Sequence, residues 1–264
     1  MTCDGDEMIG EKEFAAIQEA AGTYKYTSLQ YVDYEDCLNS DVLLNHPGAV
    51  LLIDRSKSPA MLYFAADDFA MLLPPIKQLA GPLRMHFVPH EHASQLADIG
   101  FTPWGEYIDY VNADLAQTPL DVHGEEEIEF LQPADCAQTS LVSRRCKGLS
   151  RGFEGESPEW FLEWITENRV IVVREQGEIA GFCCVSIYNG GTTLWIREIA
   201  VDPAHQGRGF GKRLMEQAVH YGVTQGALKG FLAVDTLNDK AITLYERYGF
   251  SARGTKGELQ MVRQ

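Results

Sequence analysis

The chain has 264 residues, of which 45% are hydrophobic, and this is enough for two domains of ordinary size. It has no run of 18 apolar residues and it starts with the acidic segment 1–7, which argues against a membrane span or a signal peptide and favours a cytoplasmic protein. The net charge is −16, and acidic residues outnumber basic ones by 19 to 6 in residues 1–124, so this half would repel nucleic acid.

The first half alternates predicted strands and helices. Its predicted strands are 49–54, 61–65, 84–88 and 106–111. A helix is expected over 69–79, and a second helix is expected to end at the pair Gly100-Phe101. Pro119 and the following acidic run make 118–127 the predicted linker.

The second half begins with two predicted helices, over 133–149 and 157–167. Three strands separated by short turns then predict an antiparallel meander, at 169–174, 179–188 and 193–201. A long helix follows and ends before Gly226. The remaining predicted elements are a strand at 230–234, a helix that ends at Gly249, and a strand at 259–262 that closes the sheet of this half.

A glycine-rich turn joins the third strand of the meander to the long helix. Gly207, Gly209 and Gly211 let the backbone approach a ligand closely, and the first free N–H groups of the helix present the positive end of its dipole. This arrangement favours a diphosphate. The P-loop pattern does not fit, because Gln206 stands where it requires glycine and Arg213 where it requires serine or threonine.

The pattern Gln-x-x-Gly-x-Gly at 206–211, after a strand that ends Ile-x-Val-x-Pro, resembles the acetyl-CoA motif of the GNAT superfamily of N-acetyltransferases. The segment 238–250, Asn-x-x-Ala-x-x-Leu-Tyr-x-x-x-Gly-Phe, is similar to a later helix of that superfamily and lies at the expected separation. The resemblance covers 125–264, which we therefore expect to be a GNAT acetyltransferase domain. It implies an α/β (α+β) fold with a mixed, mostly antiparallel sheet flanked by helices.

The predicted first domain, residues 1–120, resembles the second in how it ends. Gly100-Phe101 and the strand after it match Gly249-Phe250 and the strand after that pair. In the place of the glycine-rich turn, however, residues 65–69 contain no glycine and two carboxylates, which would repel a diphosphate. This half is either a degenerate GNAT-like domain without a cofactor site or an unrelated α/β domain.

The resemblance implies acetyl-CoA as the cofactor and transfer of its acetyl group to an amine by direct attack on the thioester. In the superfamily, a bulged strand binds the pantetheine arm, the glycine-rich backbone holds the diphosphate, and an asparagine contacts the arm. The implied cofactor-binding residues are Ile199, Ala200, Val201, Gly207, Arg208, Gly209, Phe210, Gly211, Lys212 and Asn238. No metal site is predicted.

Tyr245 resembles the general acid of the family, since a phenol in a dry site can protonate a leaving thiolate; its other interpretation is core packing. The general base cannot be the glutamate that some relatives have, because Ala233 stands at that position. Glu198 is the nearest carboxylate to the expected thioester site, and it is either the base, acting through a water, or an exposed strand residue paired with Arg197 or a neighbour. Weaker candidates are Asp235, Asp239 and His205, the last of which is expected to be a turn residue.

The expected acceptor is an amine of a small molecule or a peptide. The acidic excess would attract a cationic acceptor such as a polyamine, although it also serves solubility alone. Specificity would be set by the helices around 144–156, whereas Trp160 and Trp164 are expected to pack inward. The alternative function is a non-catalytic acyl-CoA-binding or protein-interaction module, and the oligomeric state is left open.

Overall fold

The computed structural model describes residues 9–32, 34–120 and 127–264. The acidic start and residues 121–126 of the predicted linker therefore lie outside the described residues. In the described part, no helix combines the length and the apolar character that crossing a membrane requires.

Within those ranges, the α-helices α1 to α8 are Glu11–Ala21, Tyr34–Cys37, Leu73–Gln78, Ala93–Ala97, Cys136–Arg145, Pro158–Glu167, Phe210–Thr224 and Asp239–Arg247. The strands β1 to β12 are Tyr26–Thr27, Ser40–His46, Ala49–Asp54, Ala60–Ala66, Leu83–Val88, Thr102–Asn112, Arg169–Glu175, Glu178–Tyr188, Thr193–Val201, Lys229–Asp235, Ser251–Ala252 and Glu258–Arg263. Short 3₁₀ helices are Leu29–Tyr31, Phe69–Leu72, His90–His92, Leu115–Gln117, Pro133–Asp135 and Pro203–His205.

The chain divides into two compact units, one formed by 1–106 with 256–264 and the other by 107–255. The boundary lies within β6, and the last strand of the chain belongs to the first unit. The division therefore differs from the predicted domains, 1–120 and 125–264, both in its boundary and in the placement of the C-terminal strand.

The first unit contains an antiparallel meander of β2, β3 and β4, next to which β5 runs parallel to β4. All six residues of β3 are buried, because apolar clusters cover both of its faces. One of these clusters includes α1, which the sequence analysis did not predict. Its first turn follows Gly10, which provides no side-chain cap, so the usual start signal is missing.

The strand predicted at 259–262 exists as β12, but the expectation that it closes the sheet of the second half is wrong, because β12 belongs to the first unit. It pairs antiparallel with β5 of the first unit, where Met261 lies opposite Met85. Leu259 and Met261 are buried in the apolar core of that unit. A period-two pattern specifies which side chains of a strand are buried, but not which strand lies beside it, so the pattern alone could not identify this partner.

The second unit confirms the predicted meander, since β7, β8 and β9 are antiparallel neighbours. Strand β10 runs parallel to β9, and the segment 107–112 of β6 pairs antiparallel with β10. Cys183 and Cys184 of β8 lie in two different cores, one formed with α7 and α8 and the other with α5 and α6. This is the predicted mixed, mostly antiparallel sheet with helices on both faces.

Two predicted helices are shorter than expected. The segment 69–79 is a 3₁₀ turn followed by the six residues of α3. Pro74 and Pro75, near the start of α3, lack the N–H groups that a helix continuing from residue 69 would need. The segment 133–149 begins with a 3₁₀ turn, and the helix α5 that follows it ends at Arg145. The shortened α5 leaves the segment between α5 and α6 as a loop beside the site described next.

Candidate active site

The glycine-rich turn forms an anion-binding cradle at the N-terminus of α7. Gly207 and Gly209 have φ of +75° and +87°, and a Cβ on either would meet no atom within 4 Å, so the space beside the turn is open. Within the described part of the chain, the N–H groups of residues 207–211 make no hydrogen bond. Several free donors therefore point into open space at the positive end of a fifteen-residue helix, which suits a diphosphate.

The side chain of Arg208 is already paired at this turn. Its guanidinium forms two hydrogen bonds with the carboxylate of Glu175, and His205 Nε2 lies 3.3 Å from the same carboxylate. The backbone of the turn, rather than the Arg208 side chain, is therefore the part that is open to an incoming anion.

Strands β9 and β10 separate beyond their first residues and leave a cavity between them. They pair only at Thr193–Trp195 with Lys229–Phe231, although each continues toward its C-terminal end. A cavity of about 760 Å³ lies there, lined by residues 198–201 of β9 and 233–235 of β10. The backbone edges that face the cavity can hydrogen-bond an extended ligand with amide groups.

A β-bulge in β9 explains how a carboxylate reaches this cavity. Glu198 lies opposite Cys184, whereas Ile196 lies opposite Val185, so β9 carries one extra residue at Arg197. Arg197 and Glu198 consequently face the same side of the sheet, toward α5 and α6, while Ile196 packs against the core that contains α7. Strict alternation would have put Glu198 into that apolar core.

Glu198 is a buried carboxylate with a high proton affinity. Its side chain is only 8% exposed, and burial raises its pKa to about 8, an effect that Arg197 partly offsets. Oε1 accepts a hydrogen bond of 3.4 Å from Ser143 Oγ, and Oε2 lies 3.6 Å from the Arg197 guanidinium. Oε2 is buried and makes no hydrogen bond within the described residues, so it is available to a proton near neutral pH.

Tyr245 on α8 lines the same cavity and is 9% exposed. Burial raises the pKa of its phenol, and the neighbouring Cys183 and Glu198 raise it further. The hydroxyl therefore stays protonated over the physiological pH range and can act as a proton donor. It makes no hydrogen bond to the described residues.

The structure brings most of the predicted cofactor-binding residues together along this cavity. Those that line it are Ile199, Ala200, Val201, Gly207, Gly209, Phe210, Gly211 and Asn238, whereas Arg208 and Lys212 do not. Asn238 also has a local role, because its side-chain oxygen caps α8 by accepting a hydrogen bond of 3.2 Å from the Ala241 N–H. Its NH₂ group is not used in that cap.

Two of the weaker base candidates, Asp235 and His205, have structural roles. Asp235 accepts hydrogen bonds from the backbone N–H and the side chain of Arg151 and from the Leu237 N–H. Burial alone would raise its pKa, but these hydrogen bonds hold the pKa below its usual value, so it remains an ionised acceptor. His205 lies in a 3₁₀ turn, as predicted.

Other residues of the site were missed because their partners are distant in sequence. Ser143 contacts Glu198, and Tyr107 contacts Ser150 through its hydroxyl group at 3.1 Å. No local pattern signals such contacts. Trp160 and Trp164 stack on each other and do not line the cavity, in agreement with the expectation that they pack inward.

Comparison with known proteins gives the family. Residues 142–250 match the profile of the Acetyltransferase (GNAT) family. The chain is 34% identical to N-alpha-acetyltransferase RimI of Mycobacterium tuberculosis over 46% of its length and 79% of that relative. It is 33% identical to streptothricin acetyltransferase of Streptomyces lavendulae over 41% of its length and 53% of that relative. The chain thus spans only about half the length of some of the curated relatives it matches.

Solved structures show the same fold over nearly the whole chain. A GCN5-related N-acetyltransferase from Sphaerobacter thermophilus superposes with a TM-score of 0.59 at 18% identity, over 96% of this chain and 90% of the other. A GNAT-family acetyltransferase from Colwellia psychrerythraea gives 0.58 at 10% identity, over 97% and 98%. At these identities the similarity concerns the fold alone.

Acetyl-CoA is the cofactor of this family, and the residues present fit it. The free N–H groups of residues 207–211 suit its diphosphate, and the separated edges of β9 and β10 suit its amide-containing arm. Sequence relatives, fold and cavity agree, and the chain belongs to the Acetyltransferase (GNAT) family.

Proposed function

We propose that this protein transfers the acetyl group of acetyl-CoA to an amine. The observation that carries the proposal is that one cavity contains a buried carboxylate, a protonated phenol and an open anion cradle. A proton acceptor and a proton donor on the walls of one site are what amide formation from an ammonium acceptor requires.

Acetyl-CoA supplies an activated acyl group as a thioester. The backbone of residues 207–211 would hold its diphosphate, and the edges of β9 and β10 would hold the rest of the molecule along the cavity. Asn238 contributes its NH₂ group beside the arm. These contacts orient the donor and do not require charge on a side chain.

Glu198 acts as the general base. Through a water, its carboxylate accepts a proton from the ammonium form of the acceptor, which leaves a neutral nitrogen for the attack. A pKa of about 8 matches this role, because the carboxyl is partly ionised at neutral pH and still binds a proton well. Arg197 and Ser143 keep the carboxylate in place.

Tyr245 acts as the general acid. As the carbon–sulfur bond breaks, its hydroxyl would donate a proton to the leaving sulfur, and the phenolate, whose pKa is raised, would take up the second proton that the acylated nitrogen loses. Glu198 then releases the first proton to solvent. The apolar surroundings of Tyr245 on α8 keep water away from this position.

The test is the release of free thiol from acetyl-CoA in the presence of a panel of amines. The variant Tyr245→Phe should lower kcat by about 100-fold and leave the Kd for acetyl-CoA within about twofold. Tyr188→Phe is the matched control, because Tyr188 lies on β8 outside the cavity, and it should retain full turnover.

Two other results would each revise the proposal. Unchanged turnover in Tyr245→Phe would exclude Tyr245 as the acid. If the unaltered protein binds acetyl-CoA tightly but releases no thiol with any amine, the non-catalytic acyl-CoA-binding function is favoured instead. Ala233 is consistent with that function, because it places no carboxylate at its position in the cavity wall.

A further inference from the structure

One part of the cavity is bordered by two segments that an ion pair ties together. Arg151, in the loop between α5 and α6, donates from its backbone N–H and its Nε to Asp235 at the end of β10, at 2.7 and 2.9 Å. The same guanidinium donates to Thr236 Oγ1 at 3.1 Å. Tyr107 also holds this loop, through contacts of its hydroxyl with Ser150 and with the Arg151 carbonyl. The loop is thus anchored to the end of β10.

Both tied segments present exposed leucines to the cavity. Leu149 of the loop is 52% exposed, and Leu237, two residues after Asp235, is 71% exposed. Both line the cavity, and so does Phe153 of the same loop. A single exposed leucine is ordinary on a protein surface, but two leucines beside one ion pair and on the wall of one cavity form an apolar patch that a ligand can cover.

The carboxylates near this patch are already paired with arginines. Asp235 is bound by Arg151, and Glu198 and Glu156 both face Arg197, at 3.6 and 3.0 Å. Asp239 also lines the cavity, but it lies in the first turn of α8, where the helix dipole stabilises its charge, and it adjoins Lys240. The extra positive charges of an acceptor with several ammonium groups would therefore be poorly matched by the carboxylates near this patch, although the whole chain is acidic.

We propose that the acceptor is a primary monoamine carried on an apolar group, and that Leu149, Phe153 and Leu237 contact that group. The inference rests on the proposed function, and it names the acceptor class for the same site. The apolar group belongs either to a small free amine or to the first residue of a peptide, since both present one ammonium next to a hydrophobic side chain.

The experiment measures acceptor binding separately from chemistry. Protein saturated with coenzyme A is titrated calorimetrically with 2-phenylethylamine, with the peptide amide Leu-Gly-Gly-NH₂ and with spermidine, and turnover of acetyl-CoA is measured with the same three amines. We expect one of the two apolar amines to bind at least tenfold more tightly than spermidine. Which of them binds better identifies the source of the apolar group.

The double variant Leu149→Ser/Leu237→Ser should lose this preference. Both leucines are exposed, so their replacement should leave the core intact, and thermal unfolding checks that the variant is folded. Leu228→Ser is the matched control, since Leu228 is 66% exposed and lies outside the cavity, and it should keep the preference. Tighter binding of spermidine, or an unchanged preference in the double variant, would overturn the inference and leave acetyl transfer intact. If the unaltered protein shows the binding preference but turns over none of the amines, the proposed function is contradicted instead.

Discussion

Glu198 shows how one inserted residue changes the chemistry of a strand. The bulge at Arg197 turns the carboxylate away from the apolar core and toward Ser143, where it is buried but still lines the cavity. Burial favours the protonated form, and the Ser143 hydroxyl and Arg197 favour the ionised form, so the pKa of about 8 results from opposing effects.

The pH dependence of kcat follows from that balance. A base with a raised pKa is protonated and inactive at low pH, so kcat should rise with pH and reach a plateau above about 8. Ser143→Ala removes a hydrogen bond that lowers this pKa, and the inflection should move to higher pH. Ser140→Ala is the control, since Ser140 Oγ donates to the Glu156 carbonyl and does not touch Glu198. The measurement is kcat against pH at saturating substrates; an inflection that stays in place in Ser143→Ala would exclude this role for Ser143.

The proposed catalytic and cofactor-binding residues were predictable to different degrees. Tyr245 and Asn238 belong to one contiguous helix with a recognisable spacing, and the structure places both on the cavity. Glu198 could be proposed only from its position near the end of β9. Its burial, its orientation and its partner Ser143 depend on a helix more than fifty residues earlier in the chain, and no local pattern contains that information.

At the scale of elements, the proposed site for the diphosphate is the junction of β9 and α7. The strand ends in a short 3₁₀ turn, two glycines with positive φ then redirect the chain, and the helix begins with Gly209 as its N-cap. The absence of a capping side chain at Gly209 leaves the first N–H groups to a ligand. The same position in an ordinary helix would carry Ser, Thr, Asp or Asn.

Gly209→Glu should therefore abolish the binding of acetyl-CoA, because the new carboxylate lies at the cradle and repels the diphosphate. Gly190→Glu is the matched control, since Gly190 also has a positive φ and open space around it but lies in the β8–β9 turn. Both variants should lose about 1 kcal/mol of stability through backbone strain. In a thermal-shift assay with acetyl-CoA, only Gly209→Glu should lose the stabilisation. An equal loss in both variants would mean that strain, and not the cradle, is responsible.

At the scale of the whole molecule, the two units share an order of elements. Each has a three-stranded antiparallel meander, a helical segment and a strand parallel to the last strand of the meander. They differ at the turn that follows the meander. In the first unit the Asp68 carboxylate caps the helical segment by accepting a hydrogen bond of 3.0 Å from the Ala70 N–H, in a segment that has no glycine. This supports the hypothesis that the first unit is GNAT-like but has no cofactor site.

The hypothesis predicts the stoichiometry of cofactor binding. Calorimetric titration of the full chain with acetyl-CoA should give one site per chain, because the Asp68 carboxylate takes the place of the anion in the first unit. Gly209→Glu should reduce that number to zero. A stoichiometry of two, or one remaining site in Gly209→Glu, would show that the first unit binds the cofactor.

The sequence alone determined the elements and motifs that are contiguous along the chain: the meander, the glycine-rich turn and α8. Helix and strand periodicities and turn residues act over a few positions, so a linear pattern contains them. The tertiary structure decided which strand lies beside β12, where the units divide, and which side chains meet Glu198 and Asp235. Some of those contacts join residues more than a hundred positions apart in the sequence. They form because distant apolar faces must be buried together, and a local pattern does not specify which faces these are.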